Sequence, residues 1–413
     1  MRLLCLSNGH GEDAIAVRIL RELQSLPQPP ELAALPIVGE GQAYTQAGIP
    51  VIGSVKTMPS GGFIYMDGRQ LARDLRGGLL QLTQMQLRAV RSWVHQSPKR
   101  GFILAVGDVV PLLFAWLSGV PYAFVGTAKS EYYLRDERGM LPRQSWWDDR
   151  LPRWTGCVYY PWERWLMRRP NCKAVFPRDR LTTQILQRFA VPAVEVGNPM
   201  MDGLIWHPES SPDLASGAPA PLTIVLLPGS RPPEAYANWE ILLLAVNNLI
   251  ADMGRSLLLL AAIDSKLDLD RLRQELLQFR WQQADANTYW IGIGNQRTTL
   301  KLMPQRFVEC IHRAELAIAM AGTATEQFVG LGKPAIIMPG KGPQFTPQFA
   351  EAQTRLLGPS VTLVPEPSQT ATAVQALLDD PDRLHLIVQN GQRRMGESGA
   401  SRRIAVHLQA FWR

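Results

Sequence analysis

The sequence predicts an α/β protein in two halves, each a parallel sheet covered by helices on both faces. Three observations carry this. Short apolar strands alternate with helical segments in both halves. An unperiodic stretch, "HPESSPDLASGAPAP" from His207 to Pro221, separates them and reads as a linker. The length, 413 residues, allows two or three domains that each bury a core.

In order, "RLLCLS" reads as a buried strand and Glu12 to Gln24 as an amphipathic helix. "LAALPIV" is the next strand. A long helix is expected from about Gln70 to His95, then the strand "GFILAV". The uncharged stretch from Val109 to Gly126 is nearly long enough to span a bilayer. Pro111, Gly119 and Pro121 interrupt it, so a helix to Ser118 and a strand from Tyr122 fit better. Residues 129–169 break the rhythm with "SWWDDRLPRW" and "YYPWERWLMRR". Alternation returns with "KAVF" and a helix from Arg178 to Phe189. After the linker come "LTIVLLPGSR", a helix from Ala235 to Met253, "SLLLLAAI", a helix from Leu267 to Phe279, and "TYWIGIG". A helix around Phe307, "LAIAMAG", another helix, "PAIIMPG" and helices from Thr346 onward complete the chain.

The formal net charge is +7, with 46% hydrophobic and 19% charged residues. That composition is globular, and the basic balance favours anionic partners. The four cysteines, Cys5, Cys157, Cys172 and Cys310, are widely spaced, so neither a zinc site nor a disulfide framework is expected. The N-terminal apolar run is too short for a signal peptide core, and the expected location is cytoplasmic.

Open parallel sheets bind ligands at the C-terminal ends of their strands. Four loops fall there. In "LLPGSR", Gly229 permits close backbone approach, Ser230 can donate to phosphate, and Arg231 can grip it with two bonds; otherwise the loop is a polar turn with a solvated arginine. In "AGTATE", the backbone of Gly322, Thr323, Ala324 and Thr325 would face an anion at a helix start. Glu326 there either favours the helix dipole or accepts both hydroxyls of a ribose. Together these loops suggest a nucleotide-diphosphate site. "SNGHGED" lacks the full dinucleotide fingerprint, so NAD is poorly supported. Its His10, Glu12 and Asp13 are candidates for catalysis or acceptor binding, with Asp13 alternatively a helix cap. In "AVGDVVP", Asp108 is a candidate general base or the N-cap of the next helix. The segment with Trp146, Trp147, Trp154, Trp162 and Trp165 among arginines suits a membrane interface or a lipid acceptor, or else a packed subdomain. No RNA-binding motif is present, and no nucleic-acid partner is expected.

"LLPGSR", "AGTATEQFVGLGKPAIIM", "GNPMMDGL" and the N-terminal glycine loop resemble, in order, the lipid-A-disaccharide-synthase-related proteins, a GT-B glycosyltransferase group. The likeness runs from Leu3 to about Phe411. It implies two Rossmann-like domains with parallel sheets facing across a cleft. These would be residues 1–206, including the Trp/Arg-rich segment 129–169, and 222–398, joined by the linker 207–221. A last helix, 399–413, would cross back to the first domain. It implies a UDP-sugar donor held mainly by the second domain, with no metal or other cofactor. Carried over by position, Gly229, Ser230, Arg231 and Gly322 to Thr325 would hold diphosphate and Glu326 the ribose, with Gln344 and Gln348 near the donor sugar. Asp108 matches the first aspartate of the synthases' Gly-Ile-Asp-Ala-Pro-Asp stretch, whose second is Leu112 here. Their Gly-Glu-Ala-Ser-Gly-Asp loop becomes "NGHGED". These departures fall on the acceptor side.

The expected function is therefore metal-independent, inverting transfer of a sugar from a UDP-sugar to a lipid-like hydroxyl. Asp108, or alternatively His10 or Glu12, would be the base. Asp13, Trp146, Trp147, Trp162 and Trp165 would face the acceptor or an anionic membrane at its inner surface. The alternatives are a non-hydrolysing sugar-nucleotide epimerase and a non-catalytic nucleotide-sugar-binding protein.

Overall fold

A computed structural model describes residues 1–55, 79–96, 101–142, 150–208, 221–293 and 296–411. The chain divides into two compact units. One comprises Met1–Asp202 with Glu397–Arg413, the other Gly203–Gly396.

In the first unit the strands are β1 (Arg2–Ser7), β2 (Glu31–Pro36), β3 (Gly101–Gly107), β4 (Tyr122–Gly126), a short hairpin of β5 (Arg135–Asp136) and β6 (Gly139–Met140), and β7 (Cys172–Pro177). The helices are α1 (His10–Gln24), α2 (Gln42–Gln46), α3 (Leu79–His95), α4 (Val109–Leu117), α5 (Arg150–Thr155), α6 (Pro161–Met167) and α7 (Arg180–Arg188). The sheet runs β2-β1-β3-β4-β7, every pairing parallel. The interiors of its strands are mostly apolar because both faces are covered. Leu4, Leu6, Ile103, Ala105, Tyr122 and Phe124 enter one core. Leu3, Cys5, Phe102, Leu104, Ala123 and Val125 enter the other. The period of two, hidden in an all-apolar run, sorts residues between cores.

The second core is closed by the C-terminal helix, Ala400–Gln409, which packs against α1 and buries Ile404, Ala405 and Leu408 completely. The "GNPMMDGL" motif anchors it. The Asp202 carboxylate accepts from the backbone N–H groups of Gly399 (2.5 Å), Ala400 (3.1 Å) and Ser401 (2.7 Å). A carboxylate at a helix start satisfies orphan donors and the helix dipole together. Arg403 Nε adds a bond to the Val196 carbonyl.

In the second unit the strands are β8 (Leu222–Leu227), β9 (Leu257–Ile263), β10 (Gln282–Gln283), β11 (Thr288–Ile293), β12 (Gln296–Pro304), β13 (Leu316–Ala319), β14 (Ala335–Ile337) and β15 (Val361–Leu363). The helices are α8 (Glu234–Met253), α9 (Leu269–Gln278), α10 (Phe307–Arg313), α11 (Thr323–Gly330), α12 (Pro347–Leu357), α13 (Thr370–Leu378) and α14 (Pro381–Met395). Strand order is β10-β11-β12-β9-β8-β13-β14-β15, parallel from β12 to β15 with an antiparallel edge at β10 and β11.

Two differences from the sequence reading stand out. β12 was not expected. Its sequence "QRTTLKLMP" mixes Thr, Gln and Lys with Leu and Met, so it is not an apolar run, and its pairing with β11 creates the antiparallel edge. The division between units falls at Asp202/Gly203 and Gly396/Glu397, a few residues before the linker read from composition and the last-helix boundary implied by the resemblance. The first part of the expected helix from Gln70, and most of the linker, lie outside the described residues. No described helix is long and apolar enough to cross a membrane.

Candidate functional site

Each sheet has a point where successive strands are laid to opposite sides, and ligands of open α/β sheets sit at the strand ends there. In the first unit β1 lies between β2 and β3. The loops beside that reversal are therefore Asn8-Gly9 after β1 and Asp108 after β3. Gly107 lets them meet. It has φ of +130°, and a Cβ there would lie 3.0 Å from the Asn8 Cβ and 3.4 Å from the Glu12 Cγ. Any side chain would thus be strained and crowded.

Asp108 is buried, 8% exposed, and its Oδ1 accepts from the Val110 N–H at 2.8 Å. It is therefore the N-cap of α4, one of the two roles considered for it. Burial pushes its carboxyl up to about 6; the Val110 bond opposes this, the Glu12 charge adds to it, and an Asn8 bond opposes it. Glu12 Oε1 accepts from Thr127 Oγ1 at 3.3 Å, so the strand ends of β1, β3 and β4 share one polar cluster. His10 opens α1.

Asp13 has a different place. The residue before α1 is Gly9, with no side-chain cap. The Asp13 carboxylate, 2% exposed, accepts from Ser7 Oγ at 2.5 Å, and Tyr44 donates to that Ser7 oxygen at 2.5 Å. The chain of bonds runs into the lobe, not out to a surface, so Asp13 is not an exposed contact. Burial, countered by the Ser7 bond and reinforced by the Glu12 charge, raises its carboxyl to about 7. The folded value lies above the unfolded one. Its contribution to stability is then complete below pH 4 and is lost as pH rises through about 7. Asp13→Asn, which cannot ionise, is expected to melt about 2–4 °C above the parent at pH 8. That gain should vanish near pH 4; calorimetric melting at both pH values checks it, and a pH-independent difference would refute the raised carboxyl.

In the second unit β8 lies between β9 and β13, and the chain crosses from one side of β8 to the other. The flanking loops are the two singled out from sequence, "PGSR" after β8 and "MAGTATE" after β13. They touch: Gly229 has φ of +98°, and a Cβ there would sit 3.6 Å from the Met320 carbonyl oxygen. Asn238 of α8, 2% exposed, joins them through Nδ2, which donates to the Pro228 carbonyl at 3.0 Å and the Met320 carbonyl at 3.2 Å. Gly229 and Ser230 are half-buried and Arg231 is exposed. Gly322 precedes α11 without a side-chain cap, leaving the first-turn N–H groups to the strand-end edge. Thr323 is exposed, Ala324 half-buried, and Thr325 buried with Oγ1 bonded to the Ala321 carbonyl at 2.5 Å. Glu326 is 7% exposed, and Gln353 Nε2 donates to its Oε1 at 3.4 Å.

Gln344 and Gln348 are exposed, on the turn after β14 and the first turn of α12. That turn is held by Glu234, whose Oε1 accepts from the N–H groups of Gln344 (3.1 Å) and Phe345 (2.7 Å). Glu234 and Asn238 were missed from sequence. The available signal was two polar residues one helical turn apart in an otherwise apolar helix start.

The aromatic segment is partly exposed: Trp154 at 83%, Trp162 at 52% and Trp165 at 44%. Trp165 meets Trp116 edge-on at 5.3 Å and carries Arg169 over its ring at 4.1 Å. Trp146 and Trp147 lie outside the described residues. Among the described residues no cluster of His, Cys, Asp or Glu could hold a metal ion.

No protein-family model and no curated protein matches the chain. Solved structures do. MurG of Acinetobacter baumannii matches with a TM-score of 0.58 at 15% identity, covering 99% of each chain. UDP-GlcNAc 2-epimerase of Neisseria meningitidis, solved with UDP-GlcNAc, gives 0.54 at 13%, covering 99% of this chain and all of that one. The glycotransferase of kitacinnamycin gives 0.56 at 14%, covering 99% and 98%. The chain thus has the two-domain, Rossmann-like GT-B fold along its whole length.

Proposed function

We propose that the protein is a metal-independent, inverting glycosyltransferase related to the lipid-A-disaccharide synthases, moving a sugar from a UDP-sugar to a lipid-like hydroxyl. One observation carries the reading: the "PGSR" turn and the start of α11 flank the reversal point of one sheet and are tied together by Asn238. Two adjacent strand-end turns, one of them opening a helix, with Arg231 in the first, suit a diphosphate. Glu326, within the first turn of α11, suits the ribose. Gln344 and Gln348 would face the sugar.

The first unit would take the acceptor. Asp108, with a carboxyl near 6, is ionised at neutral pH yet basic enough to accept a hydroxyl proton. As the sugar–phosphate bond breaks, Arg231 and the α11 N–H groups would stabilise the charge on the departing UDP. Exposed Trp154, Trp162 and Trp165 among arginines suit the interface of an anionic bilayer, which would seat the enzyme at the inner face of the membrane near a lipid acceptor.

A second reading is an epimerase, favoured by the full-length fold likeness to the Neisseria enzyme. Incubation with radiolabelled UDP-N-acetylglucosamine, with and without membrane lipid extract, separates them. Label entering the organic phase only with lipid supports transfer. Sugar isomerisation without lipid supports the epimerase, and binding without turnover across a donor and acceptor panel supports neither enzyme.

A further inference from the structure

Building on the nucleotide-sugar reading of the second unit, we infer that Glu234 and Asn238 are a positioning pair that sets all three turns around the donor. They stand four residues apart on α8 and so share one face of its first turns. Asn238 Nδ2 reaches both turns assigned to the diphosphate, through the carbonyls of Pro228 and Met320. Two carbonyl acceptors fix which end of the amide is nitrogen. Glu234 Oε1 holds the third turn, the one carrying Gln344, through two backbone N–H groups.

The third turn also closes on Asn238. A Cβ at Gly340 would lie 2.9 Å from Asn238 Oδ1 and 2.9 Å from the Phe345 carbonyl oxygen, so only glycine fits without a shift. Asn238 Oδ1 is buried with no hydrogen-bond partner. An apolar residue would serve helix packing at less cost than an amide with an unmade bond. What the amide supplies is one donor group spanning two loops. The pair therefore divides the work: Asn238 spaces the turns that would meet phosphate, and Glu234 orients the turn that would meet sugar. Neither touches the ligand.

Titration calorimetry on the full chain with uridine, UDP and UDP-N-acetylglucosamine tests this. Asn238→Ala is expected to weaken UDP about tenfold while leaving uridine unchanged. Glu234→Ala is expected to leave UDP unchanged and reduce UDP-N-acetylglucosamine to the affinity of UDP. Glu234→Gln, which keeps the acceptor oxygen, should restore the difference. Gly340→Ala presses a methyl on Asn238 from the other side. It should repeat the selective UDP loss, and it serves as the probe if Asn238→Ala does not fold. Equal weakening of uridine and UDP, or no change in either, would overturn the pair's role while sparing the nucleotide reading. Absence of UDP binding by the unaltered chain would overturn both.

Discussion

Replacing Asp108 with Asn is expected to lower kcat about 10²–10⁴-fold, the usual worth of a general base. Binding of the UDP-sugar should stay within about twofold, because donor contacts are assigned to the other unit. Asn is as good an N-cap as Asp, so the bond to the Val110 N–H survives and the fold is little disturbed. Only the charge and its basicity are lost. The pH profile supplies a second readout. Burial raises the Asp108 carboxyl to about 6, and a base works only when ionised. For the unaltered protein kcat/KM should climb through a limb near pH 6 and level off above it. That limb should be absent in Asp108→Asn. A variant that keeps kcat within tenfold would move the base to Glu12 or His10.

Glu326→Ala should cost UDP about 10–100-fold in affinity, the loss expected when hydrogen bonds to a charged acceptor disappear. The carboxylate is 7% exposed and has Gln353 Nε2 on one oxygen, which limits its freedom to turn away. Its proposed partners are the ribose hydroxyls, so a deoxyribose diphosphate should lose less than UDP does. Calorimetric titration with both nucleotides decides the matter. Unchanged UDP affinity would remove Glu326 from the ribose.

The strands of the first sheet and the positions of the turns after β8 and β13 were legible in the sequence because they depend on local pattern. An all-apolar run such as "RLLCLS" must be covered on both faces, and the structure sends Leu4 and Leu6 to one core, Leu3 and Cys5 to the other. What was hidden depends on partners far along the chain. β12 owes its place to β11 and β9 on either side, not to apolar content. Asn238 reads as an ordinary helix residue until Met320, 82 positions later, comes within reach. Asp13 suggested a cap because it sits near a helix start. The helix begins earlier, at His10, which places Asp13 a turn inside, where its neighbour is Ser7. Asp202 belonged to a recognisable motif, yet its bonds span 197 residues and more.

That last arrangement bears on how the protein is made. The first lobe emerges from the ribosome without the segment that seals one of its two cores, since Ile404, Ala405 and Leu408 are synthesised only after the whole of Gly203–Gly396. Until then the surface of α1 that receives them stays wet, and Asp202 has no amides to hold. The intervening lobe, Gly203–Gly396, is continuous and can mature first. Its predecessor must wait for the helix that follows this lobe, leaving a greasy face open to aggregation or chaperone capture during the interval.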